Sequence, residues 1–155
     1  MRRAPVIALL GAALLASPGA GAQRAAQRTT PGTTPAAAPV DDWSACRQAI
    51  AAVEPGAGTP PGLLGAIALV ESGRAAPSGR PEPWPWSWNA EGEGGSAPTK
   101  AAAIAAVAAL QARGVRSIDV GCMQVNLMYH PAAFPNLDAA FDPVANTRYA
   151  ARFLN

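Results

Sequence analysis

At 155 residues the chain has room for one domain, or one domain and a tail, which excludes a large multidomain enzyme. Half of it is apolar (50%) and only 14% is charged, but alanine dominates the apolar share and buries little surface. A net charge of +2 is too small for a nucleic-acid-binding stripe, and 16 Pro with 15 Gly exclude helix throughout. What is left is a small, Ala-rich, mostly helical domain with something appended.

Residues 1–22 read as a secretory signal peptide. Arg2 and Arg3 form the positive end, residues 6–16 the apolar stretch, and Ala20-Gly21-Ala22 the small residues of a cleavage site. The apolar stretch falls short of the ~20 residues of a membrane span. Residues 23–40 (QRAAQRTTPGTTPAAAPV) lack a periodic apolar face and read as a disordered Pro/Thr/Ala linker. An exported, periplasmic product with no stable membrane span is expected. Residues 41–155 then form the domain. Without Arg2, Arg3, Arg24 and Arg28 it keeps eight basic residues against ten acidic ones, a net −2, so no polyanion partner is implied.

Asp41-Asp42-Trp43-Ser44 opens a first helix, with Ala45, Ala49, Ile50 and Val53 on one side and Pro55-Gly56 at its end. A second follows Thr59-Pro60-Pro61; residues 63–70 are apolar all round, which predicts a central, buried helix stopped by Ser72-Gly73. Residues 74–98, with Trp84, Trp86, Trp88 and several Pro and Gly, read as a long ordered loop. Residues 99–113 form a third helix ended by Gly114, and residues 115–126 a short extended or irregular stretch. Asp142-Pro143 starts the last helix. The expected fold class is mainly α, with at most a minor β element.

Glu71 is the residue that does not fit. It lies three, four and seven positions from Ala68, Ile67 and Leu64, so it shares a face with apolar side chains. Burial and the negative helix end would both favour its protonated form, as a general acid needs. A solvent-facing Glu at a frayed helix end is the equal alternative. Gly121-Cys122-Met123-Gln124-Val125-Asn126 offers amides suited to sugar hydroxyl and acetamido groups, or else a polar loop satisfying its own backbone. Cys46 and Cys122, an even pair in an exported domain, suggest a disulfide; two small buried hydrophobes are the alternative. His130 has no Cys, His or carboxylate cluster at metal spacing and reads as a packed loop residue. The three indoles could stack on sugar rings; a core-covering role is favoured for two of them.

Glu71-Ser72-Gly73, followed about fifty residues later by the Gly121–Asn126 motif, resembles the catalytic domain of lytic transglycosylases of the soluble (SLT) type. The likeness runs over roughly residues 43–155. It takes in Trp84-Pro85-Trp86-Ser87-Trp88-Asn89, Ser117-Ile118-Asp119-Val120, Tyr129-His130 and Phe141-Asp142-Pro143-Val144-Ala145-Asn146. The similar subgroup is exported, and some of its members accompany conjugation or secretion systems.

The resemblance implies a lysozyme-like α+β domain and a one-carboxylate mechanism on peptidoglycan glycan strands, without cofactor or metal. Glu71 would protonate the oxygen between N-acetylmuramic acid and N-acetylglucosamine. The acetamido oxygen would stabilise C1, and Glu71 would then take the C6 hydroxyl proton as a 1,6-anhydro ring closes. Gln124 and Asn126 would contact the glycan, Met123 would pack beneath it, and Ser72 would support the Glu or the acetamido group. Asn146 would tie the last helix to the motif loop. Asp119 would serve as a cap or turn, or else as the second carboxylate of a lysozyme-like hydrolase. In the family further helices normally follow the segment that ends at Asn155. The implied alternatives are therefore a C-terminally truncated piece or a short domain lacking one wall of its groove. Besides the lyase, a catalytically weak peptidoglycan-binding or secretion-apparatus accessory protein remains open.

Overall fold

The structure, a computed structural model, describes residues 41–155; the signal peptide and linker read at 1–22 and 23–40 lie outside them. The chain runs α1 (Asp42–Val53), a short 3-10 turn (Glu54–Gly56), α2 (Leu63–Ser72), β1 (Gly73–Ala75) and β2 (Pro81–Pro83). It continues with β3 (Ser87–Ala90), β4 (Glu93–Ser96), α3 (Lys100–Ala112), β5 (Ile118–Val120), β6 (Val125–Asn126), α4 (Leu137–Ala140) and α5 (Pro143–Phe153). The expectation of a mainly α domain with at most a minor β element is overturned. The described residues are 46% helix and 17% strand with two antiparallel sheets, an α+β arrangement.

The reason lies in the segment read as a loop. Its first part folds as the β1–β2 hairpin, where Pro81 and Pro83 occupy a strand of a two-stranded sheet and need donate no interior ladder bond. Its second part is the β3–β4 hairpin, closed by Glu91-Gly92, both with positive φ (53° and 94°) as a two-residue primed turn requires. The Asn89 side chain accepts from Gly92 N–H at 2.9 Å and steadies that turn. β5 adds to β3 and β6 to β5, giving the order β4-β3-β5-β6.

Helix ends follow their sequence signals. Thr99 accepts from Ala102 N–H ahead of α3, and Asp142 accepts from Ala145 N–H at 2.7 Å ahead of α5. Alanines and glycines let elements approach closely, and α1 packs most extensively on α5. Two apolar clusters result. One gathers Trp84, Trp86, Val107, Ile118, Val120 and Phe141; the other gathers Cys46, Ile50, Leu64, Ala68, Cys122, Met123, Val125 and Ala151.

A second expectation also fails. α2 is apolar all round but not buried all round: Leu64, Ala68 and Ser72 face inward, whereas Leu69 (42%) and Val70 (83%) are exposed. A ten-residue helix packed on one side by α1, the β1–β2 hairpin and the Cys122 segment leaves its other face uncovered.

Cys46 and Cys122 are joined in a disulfide, Cα to Cα 5.6 Å, which bridges α1 to the turn between β5 and β6. A disulfide fits an exported protein. Among the described residues no helix is long and apolar enough to cross a membrane.

Candidate functional site

The end of α2 sets the site. Gly73 follows Ser72 with its amide bonded to the Leu69 carbonyl, and a Cβ on Gly73 would meet that oxygen at 2.1 Å. Only glycine therefore lets the helix turn directly into β1. Glu71 stands just before this junction. Of the two readings of Glu71, buried or solvent-facing, the structure has the second: the inward positions are Leu64, Ala68 and Ser72, spaced by four, and Glu71 falls one residue short of that stripe. Its side chain is exposed and lines an open groove of about 270 Å³.

The groove is walled by Glu71, Ser72 and Arg74 on one side and by Ser87, Trp88, Asn89 and Gln124 from the sheet and its turn. Gly94, Gly95 and Ser96 supply a low rim on β4. Among the described residues that line it, Glu71 is the one carboxylate and Arg74 the one cation. Arg74 is held in place, donating from Nη1 to Ser96 Oγ and lying 5.9 Å from the Trp84 ring centroid.

The two motifs meet physically. Ser72 is buried, and its hydroxyl lies 3.0 Å from the Ala68 carbonyl and 2.8 Å from the Cys122 carbonyl, fifty positions away. One hydroxyl hydrogen shared between them ties the Glu71 helix to the β5–β6 turn. That turn begins at Gly121 (φ 80°) and ends at Gln124, a non-glycine residue at φ 46°. Gln124 spends its amide hydrogens on the Ser87 and Gly121 carbonyls, at 3.1 and 2.8 Å. Its side-chain oxygen is left as the group able to meet a ligand.

Not every predicted site residue reaches the groove. Met123 is in the core, 5% exposed, with its N–H donating to Asn146. Asn126 donates to Ser117 Oγ and Asp119 Oδ1, and its own oxygen accepts from the Met128 and Tyr129 amides. Its polar groups are thus used within the turn, and Asp119 is the partner of that amide across β5 and β6. Trp84 and Trp86 are core residues, Trp84 donating to the Ala97 carbonyl at 2.9 Å, and Trp88 alone of the three lines the groove. His130 accepts from, or donates to, the Tyr149 hydroxyl at 2.9 Å and packs edge-on to Phe153. Arg74, Ser87, Asn89 and the β4 glycines were not foreseen as lining residues. The Glu91-Gly92 turn signal between two short runs was the cue that β3 and β4 come together there.

Asn146 holds the turn from beneath. Fully buried on α5, it donates to the Val120 and Ala140 carbonyls (2.9 and 3.0 Å) and accepts from Met123 N–H (2.9 Å). Gly121 is pressed against it: a Cβ there would lie 2.6 Å from Asn146 Nδ2, on a backbone already at positive φ. Asn146→Ala strands three buried backbone groups and is expected to cost about 2–4 kcal/mol. Gly121→Ala is expected to cost about 2–3 kcal/mol through strain and the clash. Urea titration of each variant checks both values; a loss below 1 kcal/mol would contradict the role given to either residue.

The chain matches no protein-family model, no curated protein and no solved structure.

Proposed function

We propose that this chain is a peptidoglycan lytic transglycosylase in which Glu71 acts first as acid and then as base. The observation that supports it best is the shared groove. Glu71 and Gln124, from motifs some fifty residues apart, line one open cleft whose two sides are tied through Ser72 and the Cys122 carbonyl. An exposed carboxylate beside an amide oxygen and a fixed cation suits a polar polymer better than a small enclosed ligand.

In the proposed reaction the Glu71 carboxyl gives its proton to the glycosidic oxygen as the bond from C1 to that oxygen breaks. The substrate's acetamido oxygen forms a bond to C1. The Glu71 carboxylate then takes the proton of the C6 hydroxyl, O6 bonds to C1, and the acetamido oxygen leaves. Glu71 ends protonated, as it began, and no water is consumed. A hydrolytic scheme would need a second carboxylate across the bond. Asp119 is a poorer candidate for that part, since it accepts from Asn126 and does not line the groove.

Digestion of purified sacculi tests the reading. Soluble fragments with anhydro ends, one water lighter than the hydrolytic products, are expected. Reducing ends would replace the lyase with a hydrolase. Binding to sacculi with no soluble product would favour the accessory protein.

A further inference from the structure

We propose that Trp88 is the sugar-stacking platform of this groove, a flat apolar wall for one N-acetylhexosamine ring, and that Gly95 is the residue that creates it. The inference rests on the reading of the groove as a glycan site and names the side chain that grips the glycan.

Three indoles lie within five residues, and their surroundings separate them. Trp84 and Trp86 are each 6% exposed and belong to the core. Trp88 is half-buried and lines the cleft that holds Glu71, Arg74 and Gln124. The Trp84 indole N–H is bonded to the Ala97 carbonyl, and among the described residues the buried indole N–H without a partner is that of Trp86, inside the core.

Trp88 pairs across β3 and β4 with Gly95. A Cβ at Gly95 would come within 2.4 Å of Cε2, 2.5 Å of Nε1 and 2.6 Å of Cζ2 of that ring. The indole therefore rests on bare backbone, at a height that any other residue at position 95 would deny it. Flanking Gly94 and Ser96 keep the rim low, so the ring is reached from the groove.

The ligand chemistry follows from this shape. In a β-1,4-linked N-acetylhexosamine the large substituents are equatorial and the axial C–H bonds form apolar ring faces. Such C–H bonds suit the electron-rich face of an indole. Arg74, Asn89 and Gln124 around it offer donors and acceptors for the equatorial groups.

The test uses a six-sugar β-1,4 N-acetylglucosamine oligomer titrated calorimetrically against the Glu71→Gln protein, so that cleavage does not interfere. Adding Trp88→Ala or Gly95→Ala is expected to weaken binding about tenfold, and Trp88→Phe no more than about threefold. Thermal melting identifies any variant that does not fold, and Trp88→Phe keeps the test open if the two alanine variants fail. Folded Trp88→Ala protein that binds as tightly as its parent would overturn the proposal. So would a parent that does not bind the oligomer, or a Trp88→Phe variant as weak as the alanine one.

Failure here is distinct from failure of the lyase reading. Trp88-independent binding with anhydro products intact removes the platform alone. Trp88-dependent binding without anhydro products removes the lyase alone.

Discussion

Glu71→Gln is expected to lower the rate of anhydro-product release from sacculi by about 10²–10⁴-fold, with oligosaccharide binding changed by no more than a few-fold. The substitution keeps size and polarity but cannot pass a proton to the leaving oxygen or take one from the C6 hydroxyl. Among the described residues no other carboxylate lines the groove to take over. The separation of the two readouts matters as much as the size of the effect. A residue that only shaped the groove would move binding and rate together, whereas an acid–base residue moves the rate alone. Because Glu71 is exposed in the free protein, water around it must be displaced by the glycan itself. Trp88 and the glycan are thus expected to matter for rate as well as for affinity. More than a tenth of the wild-type rate in Glu71→Gln would remove this residue from the chemistry.

Opening the disulfide is expected to have the largest effect on stability. Cys46 and Cys122 are 76 positions apart, and the chain-entropy model gives roughly 4.5 kcal/mol for closing such a loop. Small domains have only about 5–15 kcal/mol in total, and this core is built heavily from alanine. The double variant Cys46→Ser/Cys122→Ser should therefore melt on the order of 15–20 °C below the wild type. Both sulfurs belong to fully buried residues, so reductant should act on the folded protein slowly and lower its melting point only after unfolding. The site should suffer with the fold, since the Ser72 hydroxyl lies against the Cys122 carbonyl. A drop of less than about 5 °C would show that the cluster around Leu64 and Val125 holds without the bond.

Much of the fold was legible where local chemistry decides it. Asp42, Thr99 and Asp142-Pro143 mark helix starts, and Gly73 and Gly114 mark ends, all within a residue or two of the observed bounds. What was missed has one physical origin. Strands of three or four residues carry too little alternation to read. Pro81 and Pro83 argue against a strand unless it is known to need no interior ladder bond, and that depends on the sheet, not on the residues. The two hairpins therefore stayed hidden inside an apparent loop, although Glu91-Gly92 was a turn signal in plain view.

The same distinction holds for the site. Glu71, Ser72 and Gln124 line one groove. Helical spacing places Glu71 near Ala68 and Leu64 and left burial and solvent exposure equally open. A stripe spaced by four, through Leu64, Ala68 and Ser72, turns it outward. Asn126 and Met123 carry suitable groups, but tertiary contacts use them within the turn and the core. Asn146 could be assigned a tie between α5 and the motif loop from the resemblance, and its three hydrogen bonds make that tie. Donor and acceptor types can be read from a sequence, but whether they are already satisfied depends on packing.

The central claim is that one carboxylate cleaves the glycan without water, and digestion of sacculi in heavy-oxygen water tests it most directly. Released fragments analysed by mass should be anhydro-ended and carry no heavy oxygen at C1, and Glu71→Gln should release them at least about a hundredfold more slowly. Heavy oxygen at a new reducing end, or soluble fragments from Glu71→Gln in wild-type amounts, would contradict the account.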